Sequence, residues 1–155
     1  MKNIKYFLSI IMILLCLFTF TSCGGTSKID SEKLPYAFNE ETKVLTINFN
    51  TINYDDDSYR PWNNYAKKIS KIVVKEGVTS IGSYAFWACT ALKSITIPSG
   101  VTDIFASTFE LCYSLETIIF TGTIEQWSAI TFGKDWNKDI VATEVICSDG
   151  VVPLN

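Results

Sequence analysis

The middle of the chain repeats one pattern of apolar and polar positions with a period of 23 residues. Residues 69–91 align with residues 92–114 so that isoleucine, valine, glycine, phenylalanine and cysteine positions coincide. A third unit starts at Leu115 and keeps the first half of the pattern. Its apolar residues on the same columns are Ile118, Phe120, Ile124 and Trp127. So many positions rarely agree by chance, and the pattern therefore predicts a repeat protein whose units stack on one another.

Each unit predicts the same short elements. Its first part alternates β-branched residues, as in residues 72–74 and 95–97, which indicates a strand. A glycine break follows; residues 78–81 then suit a second extended stretch, and residues 84–89 suit a helical turn. Strands of stacked units lie about 4.8 Å apart. We therefore expect a solenoid of α/β to mostly β class with about two and a half repeats.

The repeat resembles the BspA-like leucine-rich repeat, which is found in secreted and surface proteins of bacteria. The resemblance rests on Leu92-x-x-Ile95-x-Ile97 and on the run GVTSIGSYAFWACTAL at residues 77–92. Residues 44–69 and 120–150 resemble the N- and C-terminal caps of that family. The resemblance implies a short leucine-rich repeat solenoid closed by two caps. One departure from the pattern is Phe105, which stands where the first repeat has Gly82.

The N-terminus has the pattern of a targeting segment. Lys2 and Lys5 precede an apolar run at residues 6–20, which is shorter than the roughly 17–25 residues of a membrane span. The run ends in Phe20-Thr21-Ser22-Cys23, which resembles the lipobox of bacterial lipoproteins. That resemblance implies cleavage after Ser22 and lipidation of Cys23. An ordinary secretory signal and an uncleaved anchor are the alternatives.

These patterns divide the chain into five parts. They are a lipoprotein signal peptide at 1–22, a lipidated N-terminus and flexible tether at 23–34, an N-terminal cap at 35–68, leucine-rich repeats at 69–127 and a C-terminal cap at 128–155. Removal of the signal changes the net charge from −3 to −5, because Lys2 and Lys5 leave with it. We expect an exported protein, anchored by lipid at the outer membrane or cell surface.

Composition excludes several kinds of chemistry. The chain has no histidine, which excludes Ser-His-Asp, Cys-His and histidine-ligated metal sites. Its acidity argues against nucleic acid as a partner. Asp103 and Glu125 could form a glycosidase pair, but we expect them on separate rungs. Asp55-Asp56-Asp57 lacks the spacing of a calcium loop and is interpreted as solvated. We expect no enzyme, no metal site and no cofactor.

The resemblance implies a recognition surface built from side chains that point away from the core. The outward rows would be Lys71, Ser94 and Thr117; Val73, Thr96 and Ile119; and Thr79, Thr102 and Glu125. Trp87 lies between buried columns and is either a ligand contact or a rim residue that covers a neighbour. The candidate ligand contacts are therefore Trp87, Thr96, Ile119, Lys71, Thr79 and Thr102.

The remaining tryptophans and cysteines have structural interpretations. Trp62, Trp127 and Trp136 lie in the cap segments and are expected to seal the ends of the solenoid. Cys89 and Cys112 lie one repeat apart, so a disulfide is conceivable. A buried cysteine often serves as a small apolar residue, and two free thiols are favoured. Once the lipidated Cys23 is set aside, Cys147 makes three cysteines in the mature chain, an odd number that cannot all pair internally.

The sequence thus predicts a cell-envelope lipoprotein whose small repeat module binds a host protein or glycan in adhesion or recognition. Its lipid on Cys23 would provide the contact with the membrane. The alternative is a structural or assembly component that docks onto a neighbouring envelope protein. A glycan-active enzyme is the weakest of the three hypotheses.

Overall fold

The structure is a computed structural model, and it describes residues 34–51, 54 and 60–154. The signal segment, Cys23, most of the tether and Asp55–Asp57 lie outside the described residues, as do the predictions made for them. Among the residues described, no helix is long and apolar enough to cross a membrane.

Ten short strands and two short helical segments make up the described part of the chain. In chain order the strands are β1 (Tyr36–Asn39), β2 (Val44–Ile47), β3 (Lys71–Val74), β4 (Ser80–Ile81), β5 (Ser94–Ile97), β6 (Asp103–Ile104), β7 (Thr117–Phe120), β8 (Thr131–Phe132), β9 (Glu144–Cys147) and β10 (Gly150–Pro153). A 3-10 helix spans Asn63–Tyr65, and the α-helix α1 spans Ile124–Ser128.

The strands form two sheets that run along the solenoid. The main sheet has the order β1-β2-β3-β5-β7-β9-β10, and the second sheet has the order β4-β6-β8. The five central strands of the main sheet are parallel, whereas β1 and β10 close its ends as antiparallel hairpins. The predicted solenoid is confirmed. Its ladder makes four turns from β2 to β9, more than the repeat count, because one strand of each cap joins the parallel ladder.

The 23-residue period sets the register of the main sheet. Ile72 pairs with Ile95, and Ile95 pairs with Ile118. The period then lengthens, because Ile118 pairs with Val145. In each strand the buried side chains alternate with side chains that face away from the core, as the pleat of a β-strand requires.

The third side of the solenoid consists of turns, so the predicted helical turn at residues 84–89 is wrong. The N–H groups of residues 85, 87 and 89 donate to carbonyls three residues earlier. Those of residues 84, 86 and 88 donate to residues 106, 108 and 110 of the next coil. Tyr84 and Ala88 have φ angles of 55° and 56°, and Ser107 and Leu111 repeat this left-handed geometry. Every second backbone N–H group of this segment therefore donates to the neighbouring coil, whereas in a regular helix the N–H groups donate within the helix.

The third repeat departs from the expected alignment. Helix α1 lies between the main and second sheets in this coil, and its first turn is fixed by reciprocal bonds between Thr123 and Gln126. As a result, Asp103 pairs with Thr131 in the second sheet, 28 residues later. The prediction that Glu125 continues the row of Thr79 and Thr102 is therefore wrong, since Glu125 belongs to α1.

The core contains a column of stacked aromatic rings on the turn side. Ring centroids lie 5.9 Å apart between Trp62 and Phe86, 5.6 Å between Phe86 and Phe109, and 6.2 Å between Phe109 and Trp136. Trp127 joins the last member, with its centroid 5.9 Å from that of Trp136. Trp62 and Trp136 are thus the two end members of the aromatic column, which agrees with their predicted place at the ends of the solenoid.

Candidate functional site

The main sheet presents a row of mostly β-branched side chains that point away from the core, called here the outward row. Its residues are in direct cross-strand register: Thr46, Val73, Thr96, Ile119, Ile146 and Val151. Exposure is largest towards the C-terminal cap, where Ile119, Ile146 and Val151 are 36%, 42% and 52% exposed. Three adjacent exposed apolar residues on a regular strand ladder favour contact with another surface.

A second row on the same face lies nearer the start of the strands. It runs through Val44, Lys71, Ser94 and Thr117 in register. Glu144 begins β9 and alternates with the buried Val145, so it faces the same way. The exposed residues Lys93 and Glu116 immediately precede β5 and β7. Lys71 and Glu144 therefore put opposite charges on this face, and Lys93 and Glu116 add exposed charges of the same order at its edge, just before β5 and β7.

The structure divides the predicted contact residues among three sides of the solenoid. Lys71, Thr96 and Ile119 share the outward face of the main sheet. Thr79 and Thr102 lie beside the second sheet, where the Thr102 hydroxyl donates to Asp103 Oδ2 at 2.7 Å. The side chain of Asn50 accepts hydrogen bonds from the backbone of Thr79 and Ser80 and so covers the first edge of that sheet.

Trp87 lies on the turn side and forms part of a packed cluster. The Cζ atom of Arg60 is 5.6 Å from the centroid of the Trp87 ring. Arg60 Nη1 donates to the backbone oxygens of Tyr84 and Trp87, at 2.9 and 2.8 Å, and Nη2 donates to Asn63 Oδ1 at 2.8 Å. Arg60 is only 3% exposed, and burial lowers the pKa of its guanidinium. Trp87 thus packs against Arg60, which agrees with the interpretation as a rim residue, and a ligand contact at Trp87 stays a prediction.

Sequence reasoning missed the most exposed part of the outward row, formed by Ile146 and Val151. The 23-residue period fades after Trp127, so no repeat alignment led to them. The alternation of Glu144–Cys147 was the available signal, because two residues of this strand are buried and two are exposed. The charge of Glu144 on the same face was missed for the same reason.

A model of the BspA type leucine rich repeat region matches residues 18–139 of the chain in six copies. The match covers well over half of the sequence. The chain belongs to the BspA-type leucine-rich repeat family. This family assignment agrees with the parallel ladder, and it defines the described part of the chain as a repeat module with a protein-interaction fold.

Two crystal structures of leucine-rich repeat proteins are similar to this BspA-type module. The protein from Eubacterium ventriosum has a TM-score of 0.52 and 20% identity, over 74% of this chain and 37% of its own. The protein from Bacteroides ovatus has a TM-score of 0.45 and 19% identity, over 84% of this chain and 37% of its own. This chain spans little more than a third of either protein. The first likeness shows the fold alone. No curated protein matches the chain.

The described part of the module offers little reactive chemistry. Cys89, Cys112 and Cys147 are free thiols, and burial raises the pKa of Cys89 to about 12. Burial also raises the pKa of Cys112, whose Sγ donates to the backbone oxygen of Phe86. These thiols therefore stay protonated and weakly nucleophilic. Asp103 lies in β6 and Glu125 in α1. Within the described ranges, no group of three histidine, cysteine or acidic residues could hold a metal ion.

A shallow cavity of about 180 Å³ lies where α1 packs beside the second sheet. Its lining residues are Ser99, Val101, Thr102, Gln126, Ala129 and Ile130. None of them titrates near neutral pH, so the cavity supplies no general acid or base. The outward face of the main sheet is therefore the best candidate for a functional surface.

Proposed function

We propose that this BspA-type protein is an exported lipoprotein that binds another protein through the outward face of its main sheet. The observation that carries the proposal is the register of Ile119, Ile146 and Val151, which forms an exposed apolar strip across three adjacent strands. Apolar side chains on a rigid ladder can be buried by a partner with little loss of conformational entropy.

The dimensions of the face support a small interface. Five parallel strands spaced about 4.8 Å apart, with four residues of about 3.3 Å each, give a face of about 24 Å by 13 Å. A stable complex buries about 800 Å² per partner, so a footprint of about 300 Å² suits a weak or multivalent contact. Anchoring through lipid on Cys23 would raise the effective concentration of such weak sites at a membrane.

The chemistry of the face favours a protein ligand over a glycan. Glycan sites commonly use exposed aromatic rings for stacking, whereas the outward row consists of threonine, valine and isoleucine. Trp87, the aromatic candidate for such stacking, covers Arg60 on another side of the solenoid. Adhesion to a host protein and docking onto an envelope protein both agree with this chemistry.

Binding of the full chain to a panel of immobilised extracellular-matrix proteins, measured by surface plasmon resonance, tests the proposal. We expect Ile146→Asp to abolish binding, because it places a carboxylate inside the apolar strip. Phe105→Asp is the matched control, since Phe105 is 38% exposed but follows β6 of the second sheet rather than lying on this face. Equal binding by both variants would contradict the proposed face.

Lipidation and location need separate measurements. Metabolic labelling with palmitate is expected for the unaltered chain and absent in Cys23→Ala. Protease treatment of whole cells then distinguishes adhesion from envelope assembly, because a domain that faces the outside is degraded and an internal one is protected. Palmitate incorporation into Cys23→Ala would overturn the lipoprotein hypothesis.

A further inference from the structure

Four exposed charged residues lie in a definite order at the start of the strands of the main sheet. Lys71 begins β3, Lys93 precedes β5, Glu116 precedes β7 and Glu144 begins β9. Across the sheet the order is therefore two positive charges followed by two negative charges. In the described part of the chain, the ion pairs are those of Glu40 with Lys43 and Lys68 and of Glu110 with Lys138, so none of these four charges is paired.

This charge order is complementary to itself under a two-fold rotation. Consider an axis that runs parallel to the strands, above the sheet, between β5 and β7. Rotation about it places β3 of one copy over β9 of the other, and β5 over β7. Lys71 then faces Glu144 of the second copy, and Lys93 faces Glu116 of the second copy. Because the axis is parallel to the strands, all these charges meet at the same end of the interface.

The same rotation matches the outward row to itself. Thr96 lies against Ile119 of the second copy, Val73 against Ile146, and Thr46 against Val151. The larger and more exposed side chains of the C-terminal half thus meet the smaller and less exposed ones of the N-terminal half. Such a closed, isologous contact is the commonest symmetry of homo-oligomers, and two sheet faces pack about 10 Å apart.

We propose that the partner of this sheet face is a second copy of the same chain, bound face to face in a two-fold dimer. The inference rests on the proposed function, because it names a partner for the same face. A partner with charge of one sign would leave one pair of charges repelled or unpaired, whereas a second copy matches all four.

The charges at the opposite end of the strands neither favour nor disfavour this dimer. Lys75 and Glu76 follow β3, and Asp149 follows β9. The rotation brings Asp149 of the second copy near both of them, so one attraction and one repulsion roughly offset each other. The orientation of the two copies in the dimer therefore follows from the four charges at the start of the strands and from the side chains of the outward row. Its footprint of about 300 Å² makes it weak and concentration-dependent.

Charge exchange between two variants of the full chain tests the dimer. One variant carries Lys71→Glu with Lys93→Glu, and the other carries Glu116→Lys with Glu144→Lys. In mild non-ionic detergent, sedimentation velocity should show reversible self-association of the unaltered chain and at least about tenfold weaker self-association of each variant, because like charges then meet. An equal mixture of the two variants should restore association, because opposite charges meet again at all four positions.

The controls separate this dimer from other causes of association. Lys134→Glu changes a charge on the turn side and should leave self-association unchanged. Ile146→Asp should weaken it without changing any of the four charges, and thermal unfolding checks that every variant is folded. A monomeric unaltered chain, or a mixture that associates no better than its components, overturns the dimer.

The outcomes also separate the dimer from the proposed function. One outcome is that Ile146→Asp abolishes binding to an immobilised matrix protein while the charge variants self-associate as the unaltered chain does. In that case the face binds a different protein and the dimer is wrong. If the charge exchange behaves as expected but no immobilised protein binds, the dimer stands and the face serves self-association. If Ile146→Asp affects neither measurement, both proposals fail.

Discussion

The guanidinium of Arg60 lies over the indole of Trp87, with its Cζ atom 5.6 Å from the ring centroid. The same guanidinium donates to the backbone oxygens of Tyr84 and Trp87 in the first turn of the repeat region. Arg60 lies just before the 3-10 helix of the N-terminal cap. One buried side chain therefore fastens the cap to the first repeat.

Replacing Arg60 with methionine should destabilise the module by about 2–4 kcal/mol, because two backbone carbonyls and Asn63 lose a charged donor. Arg60→Lys should recover only part of this loss, since an ammonium cannot bridge both carbonyls with the planar geometry of a guanidinium. Urea unfolding measures the difference, and Lys67→Met is an exposed control. A loss below about 1 kcal/mol for Arg60→Met would show that the cap is held by other contacts.

The aromatic column predicts a large difference between two phenylalanines in the same repeat. Phe109 is fully buried, with its ring 5.6 Å from that of Phe86, whereas Phe105 is 38% exposed. Phe109→Ala should therefore cost about 3–5 kcal/mol, since it leaves a cavity inside the column. Phe105→Ala should cost less than about 1 kcal/mol. Chemical denaturation of both variants measures the contrast, and equal losses would contradict the importance of the column.

The part of the fold that could be predicted follows from strict spacing. Residues Ile72, Ile95 and Ile118 recur every 23 positions, and a stacked ladder is the arrangement that buries all three. The cap tryptophans were also predictable, because large apolar rings at the ends of a repeat array must cover its last apolar layer. In both cases the prediction follows from the residue types and their spacing in the sequence.

The turn side could not be predicted, because its geometry depends on neighbouring coils. Tyr84, Ala88 and Ser107 have positive φ angles that non-glycine residues rarely adopt, so residue type gives no signal for them. Backbone hydrogen bonds to the adjacent coil hold this geometry. The position of Ile146 was hidden for a related reason, since α1 lengthens the third coil and ends the 23-residue period.

A close approach of two coils makes Gly133 a sensitive position. A Cβ atom at Gly133 would lie 2.5 Å from the carbonyl carbon of Phe105 and closer still to the backbone nitrogen of Ala106. Gly133→Ala should therefore cost about 2 kcal/mol or more, because backbone rather than a flexible side chain must move. At Gly100 the nearest atom is the Val78 carbonyl oxygen at 3.7 Å, so Gly100→Ala should be neutral or slightly stabilising. Thermal unfolding of both variants distinguishes steric conflict from a general effect of added methyl groups.

The ion pair between Lys138 and Glu110 predicts a pH dependence. Lys138 Nζ lies 2.6 Å from Glu110 Oε1, and hydrogen bonds from Lys138 and then Ser107 hold the pKa of Glu110 below its ordinary value. A carboxyl group with a lowered pKa in the folded state adds stability above its unfolded pKa of about 4.3 and loses it as the pH falls. In Lys138→Met, we expect the pKa of Glu110 to return towards its ordinary value and the acid-induced loss to become smaller. Carboxyl NMR titration measures this shift, and an unchanged Glu110 pKa would contradict the assignment to Lys138.

Pro153 lies in β10, the last strand of the main sheet among the described residues. The N–H of Leu154 donates to the Thr143 oxygen at 2.8 Å, so Leu154 bonds towards β9. In an antiparallel pair, successive residues alternate between bonding to the partner and facing away. Pro153 therefore faces the open edge, where it offers no N–H donor.

Pro153→Val should add a donor to this edge and accelerate aggregation, which static light scattering measures during incubation at fixed concentration. Pro35→Val is a matched control at the other end of the sheet. The Pro35 oxygen accepts from the Asn48 N–H, so Pro35 faces β2 and its replacement creates no donor at the open edge. Faster aggregation of Pro153→Val alone identifies the open edge as the cause. Equal rates for both variants and the unaltered chain would show that Pro153 does not limit edge pairing.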